Sequence, residues 1–143
     1  MKNKILKNIL KHLILFCNGG LLYLLVELLY RGHTHWTMFI VGGLAYIACG
    51  LVNEIFDWDT PLVVQMLYCS IIITVIEFIA GYIINIKIGM NVWDYSNLPF
   101  NIMGQVCLPF MGLWYLLSFL AILDDDYMRY KFFGEEKPRY KLF

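Results

Sequence analysis

The chain alternates long apolar runs with short polar breaks. Four runs approach the length of a membrane crossing, at residues 13–30, 36–56, 61–85 and 101–123. About 20 apolar residues rising 1.5 Å each cross a hydrocarbon core of roughly 30 Å. No ten-residue alternation of a barrel strand appears, so each run reads as helix, the state that satisfies its own backbone in lipid. The breaks at residues 31–35 and 57–60 are short and predict antiparallel neighbours, hence a single-domain, all-α integral membrane protein built as a four-helix bundle. Pro61 suits the first turn of the third helix, where its missing N–H costs nothing; Asp59 or Thr60 can cap it.

Two segments depart from this pattern. The third connection, KIGMNVWDYSNLPF, is long for so small a chain and rich in aromatic and polar residues. Trp93 and Tyr95 fit the aromatic belt at a membrane surface, which predicts a short amphipathic element on or in the outer leaflet. Residues 124–143, beginning DDDYMRYKFF, read as a cytoplasmic amphipathic tail, either a surface helix with aromatic anchors or a docking segment for a partner.

Composition narrows the class. Of 143 residues 60% are hydrophobic and the mean hydropathy is +0.64, too apolar for an ordinary soluble domain. The net charge of +0 gives no basic surface for nucleic acid. Nine of the 11 basic residues lie in the N-terminal arm (Lys2 to Lys11) and the tail (Arg129 to Lys141); Arg31 and Lys87 are the others. Positive charge is retained on the cytoplasmic side, so both termini are expected there, in a multi-pass cell-membrane protein. The acidic turn at residues 57–60 then falls inside, which the rule tolerates because acids weigh little in it. The lysines ahead of an apolar run resemble a signal peptide, but Glu27 and the lack of a small-x-small exit site predict a retained helix. Cys17, Cys49, Cys69 and Cys107 fall one to a helix with no CxxC spacing, and read as reduced, small hydrophobes.

The candidate chemistry is carried by two intramembrane glutamates, Glu27 and Glu77. A carboxylate at the centre of a bilayer costs roughly 2.5–3.5 kcal/mol on insertion scales, so such a group faces a bundle interior, pairs, or has a task. Helical spacing places Gly20, Tyr23, Glu27 and Arg31 on one face, Gly43, Ile47, Gly50 and Glu54 on a second, and Ser70, Thr74, Glu77 and Gly81 on a third. The fourth helix would similarly align Asn101, Gln105, Pro109 and Gly112. Small residues permit close approach and polar ones bond across it, so much of this pattern is packing.

Depth adds a further expectation. Glu27, Glu77, Asn101 and Gln105 fall in the outer half, with Arg31, Trp93, Asp94 and Tyr95 just above. This predicts an outward-facing polar pocket with the two glutamates as its floor. Arg31 would neutralise Glu27 at i,i+4, and Arg31 or Lys87 would neutralise Glu77. His33 and His35 form an HxH pair that is a weak metal signal, and a proton relay through Glu77 and a histidine is a further option. No Walker A, GxSxG or HExxH motif is present, and no cofactor is implied. An enzyme is the less favoured class; an interfacial lipid-directed one would draw on Asp94 or Ser96. Glu27 and Glu77 each precede a glycine-containing turn and a Trp-bearing loop, an echo consistent with a duplicated hairpin.

The stretches VELLYRGHTHWTMFIVGG, EFIAGYIINIKIGMNVWDYSNLPFNIMGQVCLPF and FGEEKPRYKLF resemble the small Firmicute membrane proteins grouped as ABC-transporter type IV, or CmpB-like. The resemblance covers nearly the whole chain and is most specific at residues 27–36 and at Trp93-Asp94-Tyr95-Ser96 with Pro99, Asn101 and Gly104-Gln105. It implies a multi-spanning helical protein of a bacterial cell membrane and a permease-type partnership with an ATPase or another membrane subunit. Four helices are few for a permease, and no long cytoplasmic loop with a coupling helix is visible. The expectation is a transport or ligand-binding membrane subunit, forming homo-oligomers in the bilayer. The alternative is a structural or regulatory accessory subunit of a membrane complex.

Overall fold

Each apolar run folds as helix. In the computed structural model, which describes residues 1–143, α1 is Lys2–Arg31, α2 Trp36–Ile55, α3 Leu62–Gly81 and α4 Leu108–Phe133, and no strand forms. A π-helical segment, Tyr82–Lys87, extends α3. All four helices are long and apolar enough to cross a membrane. Leu21, Leu25 and Leu29 on α1, Ile79 on α3 and Leu116 and Leu120 on α4 point outward and are more than half exposed, a surface suited to lipid rather than water. The chain is a multi-pass membrane protein.

The turns explain the helix ends. Gly32 closes α1 in the left-handed region, φ 75°, with its N–H on the Leu28 carbonyl. The His35 ring then caps α2 by accepting from the Thr37 N–H at 3.3 Å. The start of α3 has no side-chain cap. Its free N–H groups are met from the far end of the chain: Leu62 N–H donates to the Lys141 carbonyl at 2.6 Å and Val63 N–H to Leu142 at 3.4 Å.

Consecutive helices run antiparallel, as Gly19 against Tyr46 and Gly42 against Tyr23 show for α1 and α2. Both termini and the α2–α3 turn therefore share one end, and the two other connections share the opposite end. We call these the termini end and the loop end. The central helix is α2, which packs on α1, α3 and α4; the backbones of α1 and α3 stay more than 8 Å apart. The interface of α1 with α2 is an exchange of aromatics and glycines. Gly19 and Gly20 seat Tyr46 and Phe39, while Gly42 and Gly43 seat Tyr23 and Phe16. A small apolar core, Cys49, Val52, Leu62, Met66, Cys69 and Ile122, joins α2, α3 and α4. The four cysteines are free.

Three expected boundaries shift. α1 begins at Lys2 rather than near residue 13, so the N-terminal arm is helical, although residues 1–10 are fully outside the bundle. α4 starts at Leu108, not at residue 101. Phe100 and Met103 at φ 54° and Gly104 at φ 72° turn the chain where helix was expected, so Asn101 and Gln105 belong to the loop and share no helical face with Pro109. α4 also runs on to Phe133, well past residue 123, before Gly134 at φ 65° ends it. The expected surface tail is instead divided. Its first part is bundle helix with Asp125 at 0%, Asp126 at 3% and Arg129 at 4% exposure. Only the last ten residues lie beyond the helix.

Candidate functional site

At the loop end Arg31 Nη2 donates to Glu27 Oε2 at 2.5 Å, one turn apart on α1. Its Nη1 reaches the Val92 carbonyl at 3.4 Å, tying the helix to the long loop. Glu77 is 2% exposed on α3 and pairs with neither Arg31 nor Lys87. Lys87 lies instead over the Tyr82 ring, 5.7 Å from its centroid. The Glu77 carboxylate accepts from two neutral donors, Tyr95 OH at 3.0 Å on one oxygen and Trp114 Nε1 at 2.9 Å on the other. Tyr23, Glu27, Arg31, Trp93, Tyr95 and Trp114 wall a cavity of about 50 Å³, and Glu77 stands directly behind Tyr95 and Trp114. That space admits a few waters but is far below the ~300–1,000 Å³ of an organic-ligand pocket.

The long loop makes this wall by folding inward, not by lying at the lipid surface. Trp93 is 5% exposed and donates from Nε1 to the Gln105 carbonyl at 2.9 Å. Tyr95 stacks on Phe110 at 4.4 Å. Burial, reinforced by the Glu77 carboxylate, pushes the Tyr95 hydroxyl pKa up, so it stays a donor. Gln105 holds the loop to the π-segment: Asn85 Nδ2 donates to its Oε1 at 2.8 Å while Asn85 Oδ1 accepts from Val92 N–H at 2.7 Å. The wide π-turn presents Asn85 to the loop, a residue that sequence periodicity did not single out.

Asp94 and Asn101 are not part of the wall. Asp94 accepts from the Ser96 hydroxyl and N–H, which hold its carboxyl below the usual range. Asn101 donates to the Leu98 carbonyl at 2.9 Å and accepts from Gly104 N–H at 3.1 Å, knotting the loop. His33 is exposed, and His35 is spent on its cap. No group of three or more His, Cys, Asp or Glu side chains is placed to hold a metal ion.

The termini end holds a second polar cluster that the sequence reading assigned to a surface tail. Arg129 Nε donates to Asp125 Oδ2 at 2.9 Å, and its Nη1 lies 3.8 Å from Glu54 and 3.6 Å from Glu135. Asp126 accepts from Asn53 and from Tyr140 OH, the latter at 2.6 Å. Burial and the neighbouring Asp126 raise the Tyr140 pKa, keeping that hydroxyl protonated. An open polar cleft of about 630 Å³, lined by Glu54, Asp57, Asp126, Arg129 and Arg139 among others, adjoins it. The signal was present in the DDDYMR run, where an arginine stands four residues after an aspartate. Charge density made it read as solvated.

Between these ends lies an apolar lateral groove of about 670 Å³ formed mainly by α1, α2 and α4. Tyr23, Val26 and Trp114 line both this groove and the loop-end chamber.

No curated protein and no solved structure matches the chain. The model of one family, described as "Putative ABC-transporter type IV", matches residues 8–135, a span that includes all the loop-end residues and the Asp125–Arg129 pair. The chain therefore belongs to the ABC-transporter type IV (CmpB) family of membrane proteins.

Proposed function

We propose that this protein is a transport or ligand-binding membrane subunit whose recognition element is the loop-end polar core. Glu27, Arg31 and Glu77 form its charged base. Trp93, Tyr95 and Gln105 build its wall, and Asp94 and Asn101 hold the loop that carries them. The observation that supports this most is Glu77: a carboxylate buried among apolar helices with two neutral donors and no cationic nitrogen within 4.0 Å. Intramembrane carboxylates of this kind mark ion, proton or substrate paths. The family adds transport as the context, which supports an ATPase or another membrane subunit as partner; self-association is the expected mode of assembly.

Native mass spectrometry of protein gently extracted from its host tests the reading. A bound small molecule or ion, or a co-purifying ATPase, is the expected result. Glu77→Gln keeps the shape and removes the charge. It is expected to weaken retention of that molecule by roughly tenfold or more, the worth of a charge-assisted hydrogen bond, while insertion and folding persist. Retention equal to wild type would remove Glu77 from the site.

A second reading rests on the smallness of the chamber. With about 50 Å³ of space, the Glu27–Arg31 pair can serve as a clasp between α1 and the loop of an accessory subunit. Glu27→Gln would then lower the unfolding temperature in detergent by several degrees, from a loss of roughly 1–2 kcal/mol. It would leave the composition of the native complex unchanged. A complex that loses its bound molecule in Glu27→Gln at unchanged unfolding temperature supports the first reading over this one.

A further inference from the structure

The three consecutive aspartates near the end of α4 point to different surroundings, as residues 100° apart on a helix must. Asp125 is matched by Arg129, and Asp126 by Asn53 and Tyr140. Asp124 has no cationic nitrogen within 4.0 Å. Its Oδ2 accepts from Asn18 Nδ2 and from Tyr46 OH, both at 2.7 Å. Two neutral donors satisfy lone pairs and fix the carboxylate in place, but supply no compensating charge.

This half-buried carboxylate stands at one end of the lateral groove. Of the 19 residues lining the groove, 14 are hydrophobic, and Gly19 and Gly42 thin its walls. Trp114 and Asp124 both line it from α4, so it runs about 15 Å along that helix. Leu22, Leu120 and Tyr127 at its lip are exposed, which opens it sideways to the surrounding apolar phase. Its volume of about 670 Å³, largely apolar walls and one fixed charged group have the form of a small-molecule site between helices.

Charge decides the occupant. The acyl tail of a neutral lipid would use the apolar walls and leave Asp124 without a role. A fatty acid or another anion would meet like charge. A molecule with an apolar body and a positive centre uses both features, and Tyr46 and Tyr140 line the groove at the same end. We propose that the groove binds lipophilic organic cations, with Asp124 as their counter-ion. The proposal goes beyond the loop-end reading and does not depend on it.

The test is equilibrium binding of radiolabelled tetraphenylphosphonium to the full chain in phosphatidylcholine nanodiscs, with protein-free discs subtracted. Tetraphenylborate, of matching shape and opposite charge, is the competitor. Wild type is expected to bind the cation saturably, and the borate not to displace it. Asp124→Asn should weaken binding by at least about tenfold, whereas Asp124→Glu, which keeps the charge, should retain it. Leu117→Trp fills the groove without touching the carboxylate and should also abolish binding; thermal unfolding of each variant checks its fold. Should Asp124→Asn fail to fold, Leu117→Trp and the comparison of the two ions still decide. No saturable binding by wild type overturns the proposal. So does equal competition by the borate, or unchanged affinity in a folded Asp124→Asn protein, either of which marks a slot for lipid chains only.

Discussion

Arg129→Ala is expected to cost roughly 3–5 kcal/mol of stability, the penalty for leaving a buried charge without its partner. The arginine is 4% exposed and is the only base within salt-bridge distance of Asp125, which is 0% exposed. Its guanidinium also reaches Glu54 on α2 and Glu135 beyond α4, so its loss leaves carboxylates from three segments facing one another. Unfolding in detergent, followed by circular dichroism, measures the effect. A loss below about 1 kcal/mol would place the cluster among surface ion pairs instead. The double variant Arg129→Met with Asp125→Leu should recover much of the deficit, because replacing a whole buried pair by apolar groups is often neutral.

Gly42→Ala is expected to be a strongly damaging single-methyl change in the α1–α2 interface. A Cβ there would lie 2.3 Å from Tyr23 Cβ and 2.7 Å from its Cγ, atoms that cannot swing aside without moving α1. Overpacking of this kind costs roughly 1–3 kcal/mol, and Gly42→Leu should exceed it. The check is a double-mutant cycle. Tyr23→Ala clears the space, so Gly42→Ala should be nearly neutral in its presence. Strict additivity of the two losses would show that the helices do not interlock at this point.

The fold was legible because lipid makes one demand, a long apolar helix, and four runs answer it. Helix ends were harder to read. NIMGQVCLPF is as apolar as a span, yet Asn101 and Gly104 impose a turn through side-chain bonds and a positive φ, which hydropathy does not register. The DDDYMR run failed in the opposite direction: burial of Asp125 depends on a glycine in α2, Gly50, that leaves room for it, a fact of tertiary packing. At the loop end, intramembrane cost pointed to Glu27 and Glu77, and i,i+4 spacing to Arg31. The donors to Glu77, Tyr95 and Trp114, lie 18 and 37 residues away from it, beyond the reach of any local pattern. Asp124 escaped notice because sequence alone could not separate it from the two aspartates that follow.

The absence of backbone contact between α1 and α3 sets the mechanics of the bundle. Force applied to α1 reaches α3 through α2 and α4, which act as a spine with one leaf on each side, and at the loop end through the Arg31–Val92–Asn85 bonds. The lateral groove lies beside that spine, along α1. A small outward swing of α1, pivoting where its glycines meet the α2 aromatics, would widen the groove while the α3–α4 seam stayed closed. Such a motion would be a one-sided opening.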